Sequence, residues 1–192
     1  MKNEDYTPMI LWSSEEKNPA GDPYITVKKA RDYYYYTERG GVDSIAFILY
    51  DSKNGKFGLI NESKPPLDHL FNERHMMTTA FGGSIDSNLT RELICRAEVL
   101  EEAGYDVDVS KIRCVGSTLV SSQMNQFCVG YLVDVTGLIP GKTEADIINS
   151  DLVDPLEFVN DKTVWMNATE LLENNDWKSI WIFAKMKMSE LI

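Results

Sequence analysis

Six consecutive apolar residues, Ile45 to Tyr50, form the longest uninterrupted hydrophobic run in the chain. A short run of this kind, bounded by turn signals, reads as a central strand. Asp51-Ser-Lys-Asn-Gly55 supplies the turn, so Ile45 to Asn61 is expected to be a β-hairpin closed around Asn54-Gly55. Upstream, Tyr24 to Val27 and Tyr33 to Tyr36 have the aromatic and β-branched content of strands, and Gly40-Gly41 breaks that run. Residues 1 to 23 carry Pro8, Pro19, Gly21 and Pro23 among polar neighbours and read as an extended arm with short strands at most.

Downstream, a strand around Met76 to Phe81 leads into Gly82-Gly83, where the missing side chains predict an unusual turn. A helix should follow, capped by Asn88 or Thr90 and stopped by Gly104. Leu89, Leu93, Ala97 and Leu100 recur along it at helical spacing. Ile112 to Val120 and Gln126 to Val135 read as strands joined by a turn over Ser121 to Asn125, followed by a long polar loop from Gly137 to Pro155. Val164-Trp165-Met166 is a short strand. Asn167 or Thr169 caps a brief helix through Leu172, and Asp176 caps a last helix from Trp177 to about Met188, with Trp177 and Trp181 as its anchor.

The length, 192 residues, and an apolar share of 43% fit one globular unit with a sizeable core. No stretch approaches the roughly 20 apolar residues that span a bilayer, and the start lacks a signal-peptide pattern, so a soluble, cytoplasmic protein with no membrane role is expected. Thirty acidic residues against nineteen basic ones leave a net charge of -11. That balance disfavours a non-specific nucleic-acid binder, and it suits a phosphorylated small molecule only if metal ions supply positive charge. Cys95, Cys114 and Cys128 are widely spaced in apolar surroundings and read as reduced core thiols.

The chemistry concentrates after Gly82-Gly83. Glu98, Glu101 and Glu102 fall within about a 100° arc of the expected helix, opposite the apolar positions. Like charges at this spacing repel by a few tenths of a kcal/mol, and carboxylates in the last turns oppose the macrodipole. A solvated acidic face accounts for such a run as well as a site does. What favours a site is the glycine pair upstream, which can present a backbone carbonyl beside hard carboxylate oxygens of the kind that suit Mg²⁺ or Mn²⁺.

These residues resemble the Nudix box, G-x5-E-x7-R-E-U-x-E-E-x-G-U with U a bulky apolar residue. Starting the box at Gly83 aligns Glu98, Glu101, Glu102, Gly104 and Tyr105 with its fixed positions. The resemblance implies a Nudix-type α/β/α sandwich with a mixed β-sheet over residues 42–192, preceded by a 1–41 extension whose short strands are candidates for dimerisation. It implies that Glu98, Glu101, Glu102 and the Gly82 carbonyl bind the cations. Leu89 and Ala97 depart from the box, standing where a Glu and an Arg pair in the family. A paired loss can be nearly neutral, whereas a single loss would strand a charge. Arg96 is one residue early for the missing Arg, and Glu92 and Arg96 are expected to form an ordinary i,i+4 pair.

The implied activity is metal-dependent hydrolysis of a pyrophosphate bond in a nucleoside diphosphate linked to another moiety. The layout is similar to the ADP-ribose and nucleotide-sugar branch, with ADP-ribose giving AMP and ribose 5-phosphate as the first expectation. Nucleotide sugars, dinucleotides, a capped RNA end, or a non-catalytic nucleotide-sensing module are the alternatives. In that branch a loop glutamate can act as base, which points to Glu144 or Glu157 with Asp146 nearby; within the box, Glu101 or Glu102 can orient the water. Lys64, in a Lys64-Pro65-Pro66-Leu67 stretch, and then Arg74 are the expected phosphate contacts. Tyr33 to Tyr36 are expected to pack, with base stacking as the second possibility, and N-terminal strands in this branch suggest a homodimer.

Overall fold

The computed structural model describes residues 8–18, 20–30, 33–40, 43–64, 75–141 and 163–189. In chain order its strands are β1 (Met9–Ser13), β2 (Ile25–Ala30), β3 (Tyr34–Arg39), β4 (Ser44–Asp51), β5 (Lys56–Ser63), β6 (Met76–Thr79), β7 (Phe81–Ser84), β8 (Ile112–Ser121), β9 (Met124–Asp134) and β10 (Thr163–Met166). The helices are α1 (Arg91–Ala103), α2 (Ala168–Leu172) and α3 (Trp177–Met188). The strands join one mixed sheet in the order β1-β2-β3-β9-β4-β5-β10, with β6 on β5, β7 on β4 and β8 on β9.

β4 is the axis of this arrangement, as its unbroken apolar run predicts. It runs parallel to β9 and antiparallel to β5 and β7, so both of its edges are paired. Side chains alternate across a strand. Ile45, Phe47 and Leu49 therefore join Ile94, Cys95 and Val99 of α1 in one core, while Ala46 and Ile48 join Ile182, Phe183 and Met186 of α3 in the other. A mixed sheet between helices is the α/β class expected from the sequence.

The helix boundaries follow their caps. Thr90, and not Asn88, caps α1 by accepting from the Leu93 N–H, and Gly104 ends it in the left-handed region at φ 72°. Asn167 caps α2 in a capping box with Glu170, and Asp176 caps α3. Trp181 packs its ring against Gly130, where an added Cβ would stand 2.5 Å from the ring, so the anchoring of this helix is direct.

Several expectations need correction. The β8–β9 turn is shorter than the five residues expected, because β8 extends to Ser121 and β9 starts at Met124. Cys95 and Cys128 are buried, but Cys114 lies exposed on β8. Leu89 precedes the helix and is 44% exposed; Ala97 and Leu100 are buried as expected, and Ile94, Cys95, Val99 and Ala103 complete the buried side of α1. Arg96 pairs with Asp106 at 3.0 Å and not with Glu92, which accepts from the Tyr131 hydroxyl at 3.5 Å. Tyr33, Tyr34 and Tyr35 are exposed, although the Tyr34 hydroxyl donates to the Ser122 carbonyl and Lys29 lies over the Tyr35 ring.

Candidate active site

Gly82 and Gly83 do not form a turn. They lie inside β7, opposite Ala46 and Ile45 of β4, and neither is among the glycines with positive φ. What the sequence marks as conformational freedom is a need for room. A Cβ on Gly83 would stand 1.6 Å from Glu98 Oε1, and a Cβ on Gly82 would stand 2.8 Å from the Ile45 carbonyl oxygen. The strand is bare here so that a helix carboxylate can lie on its backbone.

Helical geometry delivers the remaining acids to the same place. Glu98 and Glu102 are separated by one turn, and the Gly82 N–H donates to Glu102 Oε2 at 3.1 Å. Glu101 is 6% exposed, buried with the core side of α1. The acidic face thus turns toward β7, and the solvated-face reading does not hold. Burial pushes the Glu102 carboxyl up to about 7; the Gly82 N–H pulls it back, Glu62 and Glu101 push it further, and Lys64 pulls it down. A carboxyl held this far above its ordinary range by burial and like charge gains from a cation nearby.

The donor set, carboxylates beside backbone at a strand with no side chains, has the hard-oxygen chemistry of a divalent-cation site. Among the described residues, no three carboxylate, imidazole or thiol side chains are grouped closely enough to enclose a metal ion. The arrangement is therefore two carboxylates on a glycine strand, Glu98 and Glu102, with Glu101 buried beside them.

In front of these groups opens a cleft of about 300 Å³ lined by Gly82, Gly83 and Glu102 together with Glu62 of β5 and Lys64, which directly follows that strand. Lys64 is ion-paired with Glu62. Two further cations line the same cleft, Arg39 from β3 and Lys178 from α3. The sequence motif gave no reason to select either. Arg39 merely precedes the Gly40-Gly41 break; Lys178 does carry a signal, a lysine in the first turn of a helix. Arg74, Glu144, Asp146 and Glu157, like Pro65 to Leu67, lie outside the described residues.

No protein-family model matches the chain, and no curated protein matches it in sequence. Among solved structures, a protein described as an ADP compounds hydrolase aligns over 95% of this chain and 93% of its own, with a TM-score of 0.61 and 13% identity. At that identity the likeness is one of fold: the chain is an α/β protein with the mixed-sheet architecture of that hydrolase.

Proposed function

We propose that the chain hydrolyses the pyrophosphate bond of nucleoside diphosphate derivatives with the help of a bound divalent cation, and that ADP-ribose is the substrate to test first. The observation that carries this reading is the seating of Glu98 and Glu102 on the side-chain-free Gly82-Gly83 strand at the floor of a cleft. The fold shared with an ADP compounds hydrolase supports it. Glu98, Glu101 and Glu102 with the Gly82 carbonyl would hold Mg²⁺ or Mn²⁺. When bound, such an ion neutralises phosphate oxygens and makes hydroxide accessible near neutral pH. The protein's own part is to keep the carboxylates against the strand and to exchange the Glu102 proton for the cation.

A nucleotide-sensing module without turnover is the second reading. The apolar residues Leu89 and Ala97, and the lack of an enclosed three-carboxylate group among the described residues, favour it. We also propose that the chain is a homodimer, since Met9, Ile10, Leu11 and Trp12 of the edge strand β1 are all exposed.

The assay is monophosphate release from a panel of ADP-ribose, nucleotide sugars, dinucleotides and capped RNA with Mg²⁺ or Mn²⁺. Release from ADP-ribose is expected to fall at least about 100-fold in Glu102→Gln, a loss of transition-state stabilisation of about 3 kcal/mol or more. Binding without release selects the sensing module, and equal rates in wild type and variant overturn both the site and its proposed chemistry.

A further inference from the structure

We propose that Lys178 and Arg39 form a two-armed cationic clamp that holds the diphosphate of the substrate, an inference that rests on the hydrolase reading above. Lys178 is the second residue of α3, in its first turn, whereas Lys185 and Lys187 occupy the last turn. The macrodipole favours cations at the last turn and disfavours them at the first, by about 0.3–1 kcal/mol. A lysine at the unfavourable end, facing a cleft, calls for an anion to offset it.

The charges in the cleft point the same way. Lys64 is engaged by Glu62, so that pair is internally neutral. Lys178 and Arg39 form no ion pair among the described residues. Against them stand the carboxyls of Glu102 and of Glu98, which lies on Gly83. In an acidic chain with a formal charge of -11, Arg39 and Lys178 thus place two cations in the cleft lining beside the candidate metal ligands. Arginine offers a planar fork and lysine a compact point charge, a combination suited to two adjacent phosphoryl groups.

Lys178 is also held in place. Asp176, 7% exposed, accepts from the Ser179 N–H at 3.0 Å and from the Ala80 N–H at 2.9 Å. Asn174 adds a hydrogen bond from its side-chain amide to the Thr78 carbonyl at 3.0 Å. The start of α3 is thus fastened to the β6–β7 junction, two residues before Gly82. This latch fixes the lysine relative to the carboxylates, with Asp176 as a positioning residue.

The test is calorimetric binding of inorganic pyrophosphate to the full chain, without metal, at pH 8 and low salt. Wild type is expected to bind saturably, Lys178→Gln and Arg39→Gln each to weaken binding at least fivefold, Lys178→Arg to retain it, and Lys185→Gln to leave it unchanged. Thermal unfolding of each variant verifies that the fold is kept. Absence of saturable binding to wild type, or wild-type affinity in Lys178→Gln and Arg39→Gln, overturns the clamp. The readout needs neither metal nor turnover. A chain that binds pyrophosphate through these cations but releases no monophosphate keeps the clamp and loses the hydrolase reading, whereas a hydrolase whose KM is untouched in both variants does the reverse.

Discussion

On the proposed reading, a proton and a cation would compete for the oxygens of Glu102. Its carboxyl is pushed up to about 7 from an ordinary 4.5, first by burial. Because the folded value is the higher one, the native state binds more protons than the unfolded state between those two values. Stability from this group therefore falls as pH rises from about 4.5 to about 7 and is level above that, by at most about 3 kcal/mol. Urea denaturation in a chelator at pH 5 and pH 8 should show Glu102→Gln relatively more stable than wild type at pH 8. An unchanged difference between the two proteins at both pH values would remove the shift. The three glutamates were legible in the sequence because box spacing and helical periodicity coincide. Arg39 and Lys178 were not, since each reaches the cleft from a distant segment through sheet pairing or helix docking.

At the scale of elements, the helix α1 and the strand β7 meet where glycine removes the obstacle between them. The sequence marked Gly82-Gly83 but misread its purpose, because a glycine pair signals freedom of the backbone and proximity of a neighbour equally well. The two positions should respond differently to alanine. At Gly82 the added Cβ meets the backbone oxygen of Ile45 at 2.8 Å, which cannot move away, so Gly82→Ala should cost about 1–3 kcal/mol in denaturant unfolding. At Gly83 the clash is with the end of the Glu98 side chain, which can swing out. Gly83→Ala should leave stability within about 0.5 kcal/mol of wild type while weakening Mn²⁺ binding at least tenfold. Equal loss of stability at both positions would mean that Glu98 is not free to leave the strand. Most other elements were legible, since their caps are local: Asn167 and Asp176 mark α2 and α3 within a few residues.

Across the whole molecule, the two-layer core followed from β4 alone, whose alternating residues were certain to need covering on both faces. The N-terminal extension was harder to read. Its aromatic residues suggest packing, yet Met9 to Trp12 and Tyr33 to Tyr35 remain exposed, because β1, β2 and β3 lie at the far edge of the sheet from β5 and β10. β3 meets the rest through Thr37 beside Met124, with the Thr37 N–H donating to the Gln123 carbonyl at 2.8 Å, and through the Tyr34 hydroxyl, which donates to the Ser122 carbonyl. The exposed strip on the edge strand β1 is proposed to meet a second copy. Sedimentation at micromolar concentration should give twice 21.8 kDa, and Ile10→Glu with Trp12→Glu should return the monomer mass. A monomer in wild type removes the dimer.

The account as a whole depends on cation capture at the glycine strand, and Mn²⁺ titration followed by electron paramagnetic resonance at pH 8 tests that most directly. Saturable loss of the free-ion signal is expected in wild type, reduced at least tenfold in affinity by Glu98→Gln and by Glu102→Gln. Wild type that leaves the signal of free Mn²⁺ unchanged, or variants that bind as wild type does, would contradict it.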